Sequence, residues 1–447
     1  MIDFAKASLN TLIEKDGHAC ACGHHHRADI DYLSICSGAV KEIPQALTAI
    51  GGKKPFILCD RNTKAAAWDR VEPVLREAGI GYELFCLPHD HVEPNEATMG
   101  AIVMAFDPAC DCIMGVGSGV INDCCKVLSR AVGKKMLIVG TAPSMDGYAS
   151  NSSAMIREGC KCTMMNAAPH AILCDVDIIK DAPMRMLHAG LGDMLAKYVA
   201  LCEWRISALV IGEYYCENVA SLMRASLKKM VDHAPGLAKR DPAAVQATLE
   251  GLILSGIAMS YAGISRPASG LEHYFSHLWE MMALERGRSF ELHGIQVGVG
   301  TLKVLKLYDL IRTLRPDREK AEAFMRNFSN ETWESEVRRI LGRAGEAIIL
   351  QEHTAFHNND AQEQAKRLEK IIAHWDDILR MIDEELPETA KIEALMRDLG
   401  MPMEPEDIGI DRQDTVDAFR ASRDTRKKYL TSSMLWDMGE LYTIELP

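Results

Sequence analysis

Three side chains stand out as a set. Asp193 lies in Gly190-Leu-Gly192-Asp193-Met-Leu-Ala-Lys197, inside an apolar stretch of helical period. His273 lies in Ser265-Arg266-Pro-Ala-Ser269-Gly270-Leu-Glu272-His273-Tyr-Phe-Ser-His277, and His293 shortly precedes Gln296-Val-Gly-Val-Gly-Thr. Two imidazoles and one carboxylate fill three positions of a zinc ion and leave the fourth open, as a catalytic rather than a structural site does. Spacing alone does not bring them together, and helix-borne histidines also serve as hydrogen-bonded core or surface residues. His277 follows His273 by four residues and shares its helix face.

A second constellation is Gly115-Val-Gly117-Ser118-Gly119-Val-Ile-Asn-Asp123-Cys-Cys-Lys126, which follows an apolar run and opens a helical one. Glycines there let the backbone approach a pyrophosphate, while the helix N-terminus offers N–H groups and the positive end of its dipole. The spacing is GxGxG rather than the dinucleotide fingerprint GxGxxG, and a plain tight strand–helix turn has the same signature. Asp60 ends an earlier apolar run, where a carboxylate either accepts from adenosine ribose hydroxyls or caps the next helix with Asn62-Thr63. Arg61 leaves room for a 2′-phosphate, so NAD and NADP both stay open. Thr141-Ala-Pro-Ser144-Met-Asp146-Gly147 follows the next run, placing small and polar residues where a parallel sheet has its ligand crevice, or where a turn needs them.

These residues need elements to carry them. Ala28–Cys36, Phe56–Asp60, Tyr82–Leu87, Cys112–Gly117 and Lys135–Gly140 read as strands, and Ala154–Asp175 carries further short strand signals. Val40–Ile50, Ala65–Ala78, Pro94–Phe106 and Ile121–Ala131 read as the helices between them. Strands alternating with helices of this length predict a parallel, Rossmann-like sheet. From Met184 onward the period is helical almost to the end, with Gly400–Asp411 the most linker-like stretch. The expectation is an α/β nucleotide domain over 1–180 and an all-α metal and substrate domain over 181–447, with a ligand in the cleft between two such domains.

The composition sets bounds. The chain has 447 residues, a formal charge of −13 and 48% hydrophobic residues, which excludes a mainly disordered chain and argues against nucleic-acid or membrane-surface binding. No run approaches 18–20 uninterrupted apolar residues, and the N-terminus carries Asp3 and Glu14, so neither a membrane span nor a secretory signal is expected. A cytoplasmic protein with reduced thiols follows, and most of the 14 cysteines read as small buried hydrophobes. The exception is Cys20-Ala-Cys22-Gly-His24-His25-His26: half a zinc site with no matching CxxC or HxxxH nearby, or a solvated loop.

With these residues in view, the chain resembles the glycerol dehydrogenase and iron-type alcohol dehydrogenase superfamily, and within it the bacterial branch of the sn-glycerol-1-phosphate dehydrogenases. Four segments carry the resemblance: GVGSGVINDCCK, GTAPSMDGYAS, AGLGDMLAKYVALCEWRIS, and SRPASGLEHYFSH with HGIQVGVGT. It implies a dehydroquinate synthase-like fold and a metal held by Asp193, His273 and His293. It also implies a cofactor site built from Asp60, Gly115, Gly117, Ser118, Gly119, Asp123, Thr141 and Ser144. Asp146 would be a substrate-side carboxylate and His277 a non-ligand histidine near the reacting centre; with water, these two are the proton-delivering groups. Iron-type members carry histidine where Lys197 stands; a site without that fourth ligand suits Zn²⁺, with Ni²⁺ also accepting such donors.

The implied reaction is reversible reduction of dihydroxyacetone phosphate by NAD(P)H, with the metal a Lewis acid on the C2 oxygen. Arg266 and Ser269 are candidates for the substrate phosphate, with Lys161 and Arg157 further ones; a loop ion pair is the other reading of Arg266. The expected partner is thus a small phosphorylated triose, and a homo-oligomer, dimer or higher, is expected. Rival readings are a glycerol dehydrogenase acting on an uncharged polyol, a dehydroquinate synthase-like cyclase, whose family has Glu where Asp193 stands, and a non-catalytic metal-binding protein.

Overall fold

In the computed structural model, which describes residues 2–89 and 91–447, six of the apolar runs form one all-parallel sheet. A short hairpin comes first, β1 (His18–Ala19) against β2 (His25–His26). The sheet strands are β3 (Tyr32–Cys36), β4 (Pro55–Asp60), β5 (Glu83–Leu87), β6 (Cys112–Gly117), β7 (Met136–Gly140) and β10 (Ala171–Asp175), in spatial order β3-β10-β7-β6-β4-β5. Between β7 and β10 a second antiparallel hairpin, β8 (Ser152–Arg157) and β9 (Cys160–Met165), accounts for the extra strand signals. β6, β7 and β10 are buried along their whole length, as strands covered on both faces must be.

The helices are α1 (Leu9–Leu12), α2 (Ile43–Ile50), α3 (Arg61–Glu77), α4 (Glu96–Ala105), α5 (Gly119–Val132), α6 (Val176–Ile179), α7 (Met184–Leu195), α8 (Lys197–Ile211), α9 (Glu217–His233), α10 (Pro242–Ala262), α11 (Leu271–Glu285) and α12 (His293–Ile311), followed by shorter helices. α3 starts four residues before the expected point because Asp60 and Thr63 form a reciprocal capping box. α2 and α3 bury Leu47, Ile50, Val71 and Leu75 with Ile57, Met114, Val116 and Leu137 of the sheet.

Strand order places the functional turns. The chain goes outward from β4 to β5, then returns to add β6, β7 and β10 on the other side of β4. The order of strand addition therefore reverses between β4 and β6, where the carboxyl ends of these parallel neighbours open a crevice. Leu58 of β4 pairs with Gly115 of β6, so Asp60 and the glycine turn emerge at that reversal.

Where a single boundary near residue 180 was expected, the compact units interleave: one holds Met1–Met194 and Cys216–Pro267, the other Leu195–Tyr215 and Ala268–Pro447. α10, in the first unit, is long and apolar enough for a membrane span by length and composition, although Gln246, Thr248 and Glu250 interrupt it. Two thirds of its apolar window, 67%, is buried inside the protein, as in a core helix. Among the described residues no disulfide forms.

Candidate active site

In the first unit, the glycine turn ends β6 and starts α5. A Cβ on Gly117 would sit 2.5 Å from Ile121 Cβ, and one on Gly115 2.7 Å from Ile138 Cδ1. These two glycines let α5 pack against its own sheet, whereas a Cβ on Gly119 would meet only Met145 at 3.4 Å. Ser118 occupies the N-cap of α5 without capping through its hydroxyl, which leaves the first-turn N–H groups to an anion or to water. Asp60 spends Oδ1 on the Thr63 N–H at 2.8 Å, so its capping role is realised whatever else it holds. Asp123, expected at the cofactor, accepts the Ala154 N–H at 3.1 Å and thereby ties β8 to α5. Burial pushes its carboxyl upward, against the opposing charges of Lys126 and Lys161.

Asp146 opens the short turn Asp146–Ala149. Its N–H donates to Asp193 Oδ2 at 2.9 Å, and its Oδ2 accepts from the Ser255 hydroxyl at 2.8 Å. Asp193, on α7, is fully buried, as is Ser255 on α10. Both helices approach through glycine: a Cβ on Gly190 would lie 1.9 Å from the Pro143 carbonyl oxygen, and one on Gly256 2.7 Å from the Ala149 backbone carbon. From the sheet side the Thr141 N–H donates to the Gly117 carbonyl at 3.1 Å, and the Tyr148 hydroxyl to the Ala142 carbonyl at 2.7 Å. Ser144 is half-buried between them in the chain. Lys126 reaches in from α5, donating to the carbonyls of Gly147 at 2.6 Å and Ser152 at 2.9 Å and to the Ser150 hydroxyl at 3.2 Å. Burial pulls its ammonium below the usual lysine range, opposed by Asp123.

In the second unit three histidines gather at the start of α11 and α12. Gly270 begins α11 without a capping side chain, and two buried carboxylates take over. Glu272 Oε1 accepts the Gly270 N–H at 2.6 Å, and Glu203 Oε2 the Leu271 N–H at 3.1 Å. Glu272 Oε1 also accepts from His273 Nδ1 at 2.8 Å. With Nδ1 donating to this carboxylate, the neutral ring keeps the Nε2 lone pair that a metal ligand requires. His293 Nδ1 lies 2.9 Å from the Ser276 hydroxyl and 3.5 Å from Glu280 Oε1, which orients its ring in the same manner. Ring centroids are 5.4 Å apart for His273–His293 and 5.6 Å for the stacked pair His277–His293. His277, Glu280 and His293 also each place a donor atom within 4.8 Å of the others. Imidazoles braced by carboxylates fit a divalent cation.

The structure thus groups Asp60, the glycine turn, Thr141, Ser144, Asp146 and Asp193 in one unit, and His273, His277 and His293 in the other. Glu272, Glu280 and Ser255 were not anticipated; Glu280 had a signal, since it follows His277 by three residues on one helix. Lys197 Nζ is buried against the Ala268 carbonyl at 3.0 Å. Arg266 is buried, at 1% exposure. Ser269 is half-buried, and its carbonyl accepts from Lys428 Nζ at 2.5 Å, which adds an unexpected cation beside that segment.

Known proteins resemble this chain in sequence and in fold. The family model described as iron-containing alcohol dehydrogenase matches residues 34–183. The crystal structure of a probable glycerol dehydrogenase from Sinorhizobium meliloti superposes with a TM-score of 0.59 over 93% of this chain and 98% of its own, at 16% identity, a likeness of fold alone. A glycerol-1-phosphate dehydrogenase [NAD(P)+] from Halalkalibacterium halodurans is 34% identical over 68% of this chain and 76% of its own. One of the same name from Bacillus licheniformis is 30% identical over 82% and 91%. At that identity and coverage, the chain belongs to the glycerol-1-phosphate dehydrogenase family.

Proposed function

We propose that this chain catalyses the reversible NAD(P)H-linked reduction of dihydroxyacetone phosphate to sn-glycerol 1-phosphate. The observation that carries it is the 34% identity to a relative named glycerol-1-phosphate dehydrogenase [NAD(P)+], over 76% of that relative. The uncapped first turn of α5 and the carboxyl end of β4 would hold the dinucleotide, with Asp60 toward its ribose. Asp193, His273 and His293 would hold the cation, Zn²⁺ in preference to Ni²⁺. When bound, the cation supplies Lewis-acid polarisation of the C2 carbonyl and the nicotinamide supplies the hydride.

The remaining work falls to the chain. His277 is the group proposed to deliver the proton to the C2 oxygen, through a ring nitrogen, with Asp146 as the second such group through water. Ser255 and the Asp193 carboxylate fix where Asp146 stands. Arg266 and Ser269 would meet the phosphate, and Lys428 adds charge beside Ser269; Lys161, engaged with Asp123, is the weaker assignment.

The test is a two-by-two assay of NADH and NADPH with dihydroxyacetone phosphate and dihydroxyacetone, on protein stripped and reloaded with Zn²⁺ or Ni²⁺. Net oxidation of the reduced dinucleotide with the phosphorylated ketone is expected. Preference for the unphosphorylated ketone would establish a polyol dehydrogenase instead, and turnover without net dinucleotide oxidation a cyclase.

A further inference from the structure

The Cys20–His26 segment takes no part in the dehydrogenase chemistry, and the fold completes it. β1 and β2 pair His18 with His26 and Ala19 with His25. Gly23, with φ at 86°, turns the tip, closed by the Cys20 N–H to the His24 carbonyl at 3.2 Å and the Gly23 N–H to the Cys20 carbonyl at 3.1 Å. The hairpin gathers Cys20, Cys22 and His26. Cys216, distant in sequence but in the same compact unit, is the N-cap of α9 and joins them.

The four donor atoms lie within 4.8 Å of one another. Cys20 Sγ is 3.7 Å from Cys216 Sγ; His26 Nε2 is 3.3 Å from Cys22 Sγ and 3.5 Å from Cys216 Sγ. With Zn–S near 2.3 Å and Zn–N near 2.0 Å, a tetrahedron places sulfurs about 3.8 Å apart and sulfur to nitrogen about 3.5 Å. The surroundings are those of a ligating histidine. His26 Nδ1 faces the Tyr261 carbonyl at 2.7 Å, which only accepts, so Nε2 holds the lone pair aimed at the sulfurs. The ring is fully buried, stacked on Tyr261 and met edge-on by Phe4. The Asn218 amide, on α9, donates to Cys20 Sγ at 3.9 Å and to the Ile2 carbonyl at 2.9 Å.

We propose that Cys20, Cys22, His26 and Cys216 bind one Zn²⁺ in a closed, structural Cys3His site. It shares no residue with the dehydrogenase set and does not rest on the proposed reaction. Each thiol that ligates releases one proton to solvent, the neutral imidazole contributes a lone pair, and the site carries one net negative charge. The positive end of α9, at Cys216, and the Asn218 amide offset that charge. The site ties the N-terminal segment to α9. The competing chemistry is a Cys20–Cys216 disulfide, which would close the sulfurs to about 2.05 Å and remove two ligands.

The experiment is cobalt substitution of the full-length protein, purified under reducing conditions. Thiolate ligation gives a sulfur-to-cobalt charge-transfer band in the near ultraviolet, which the aspartate–histidine set cannot produce because it contains no sulfur. The band is expected in wild type and in His273→Ala, and is expected to lose most of its intensity in Cys22→Ser and Cys216→Ser. Zinc content should fall by one ion per chain in the two cysteine variants. Cys22 is half-buried at the hairpin tip, so its serine variant keeps the test valid if Cys216→Ser fails to fold. A cobalt-loaded wild type without the band, zinc content unchanged in Cys22→Ser, or a thiol titration finding Cys20 and Cys216 oxidised to a disulfide would each overturn the site.

Discussion

His273 shows how a neighbour decides what an imidazole can do. Glu272 sits beside it in sequence, holds its Nδ1 proton and at the same time braces the first turn of α11. Glu272→Gln should therefore weaken metal binding by about 10–100-fold, the usual cost of losing a ligand's orienting partner. Titration of stripped protein with Zn²⁺ would measure it, and excess metal should restore turnover; in His273→Ala, excess metal should not. Arg266→Ala should raise KM for dihydroxyacetone phosphate about 10–100-fold, the worth of one charge-assisted hydrogen bond. KM for dihydroxyacetone should stay nearly constant in the same variant, which separates a lost phosphate contact from general damage. Equal effects on both ketones would assign Arg266 to structure. At this scale the sequence shows which residue types are able to ligate, because Asp193, His273 and His293 sit in distinctive segments. It does not show Ser255, Lys428 or Cys216 as partners, because their neighbours are brought to them by folding across long separations in the chain.

At the scale of elements, the proposed cofactor residues stand at the carboxyl ends of β4 and β6 and the start of α5, and the proposed cation ligands on α7, α11 and α12. The alternation of strands and helices was legible to within a few residues, since buried runs such as Cys112–Gly117 are short, apolar and punctuated by glycine. Helix starts were less so: Arg61 and Gly119 begin helices that periodicity places later, at Arg61 because the Asp60–Thr63 capping box, not apolar spacing, sets the first turn. The division of the helical stretch after Met184 into α7, α8 and α9 was not visible, as apolar residues continue through the break at Ala196. Nor was the reason for Gly190. Its missing side chain admits the Pro143 carbonyl, so Gly190→Ala must push α7 away from the Asp146 turn. A loss of about 1–3 kcal/mol is expected from overpacking, and more if the backbone cannot yield. Denaturant unfolding measures the loss, and kcat should fall in the fraction that stays folded, since Asp146 is held by the same contacts. Asp60 caps α3, and in the proposed reading it also faces the cofactor ribose. Asp60→Ala should cost about 1 kcal/mol through the lost cap, whereas Asp60→Ser keeps a capping oxygen and removes the charge. The serine variant should thus shift the NADPH-to-NADH ratio of kcat/KM upward at nearly unchanged Tm.

For the whole molecule, the dinucleotide residues lie in one compact unit and the three histidines in the other. Asp193, the third proposed cation ligand, lies in the dinucleotide unit and holds the Asp146 N–H, so chelation asks whether binding of the two cofactors is separable. Chelation should abolish turnover while NADH still binds, read from the fluorescence of the bound nicotinamide, and Zn²⁺ should restore the rate. Loss of NADH binding on chelation would mean that the cation also shapes the dinucleotide site. With a formal charge of −13, the proposed anionic ligands would have to be met by local devices such as helix ends and buried cations. The interleaving of the units bears on how the protein is made. The first unit is not one continuous piece: it needs Cys216–Pro267, which are synthesised after Leu195–Tyr215 of the second. No single truncation delivers either unit intact, and a growing chain cannot finish the first until residue 267 has left the ribosome. His26 waits for Cys216 while about 190 residues are added, on the order of 10–40 seconds at ordinary synthesis rates. Through that interval the N-terminal thiols stand in the cell without their fourth partner, exposed to whatever metal or oxidant reaches them first.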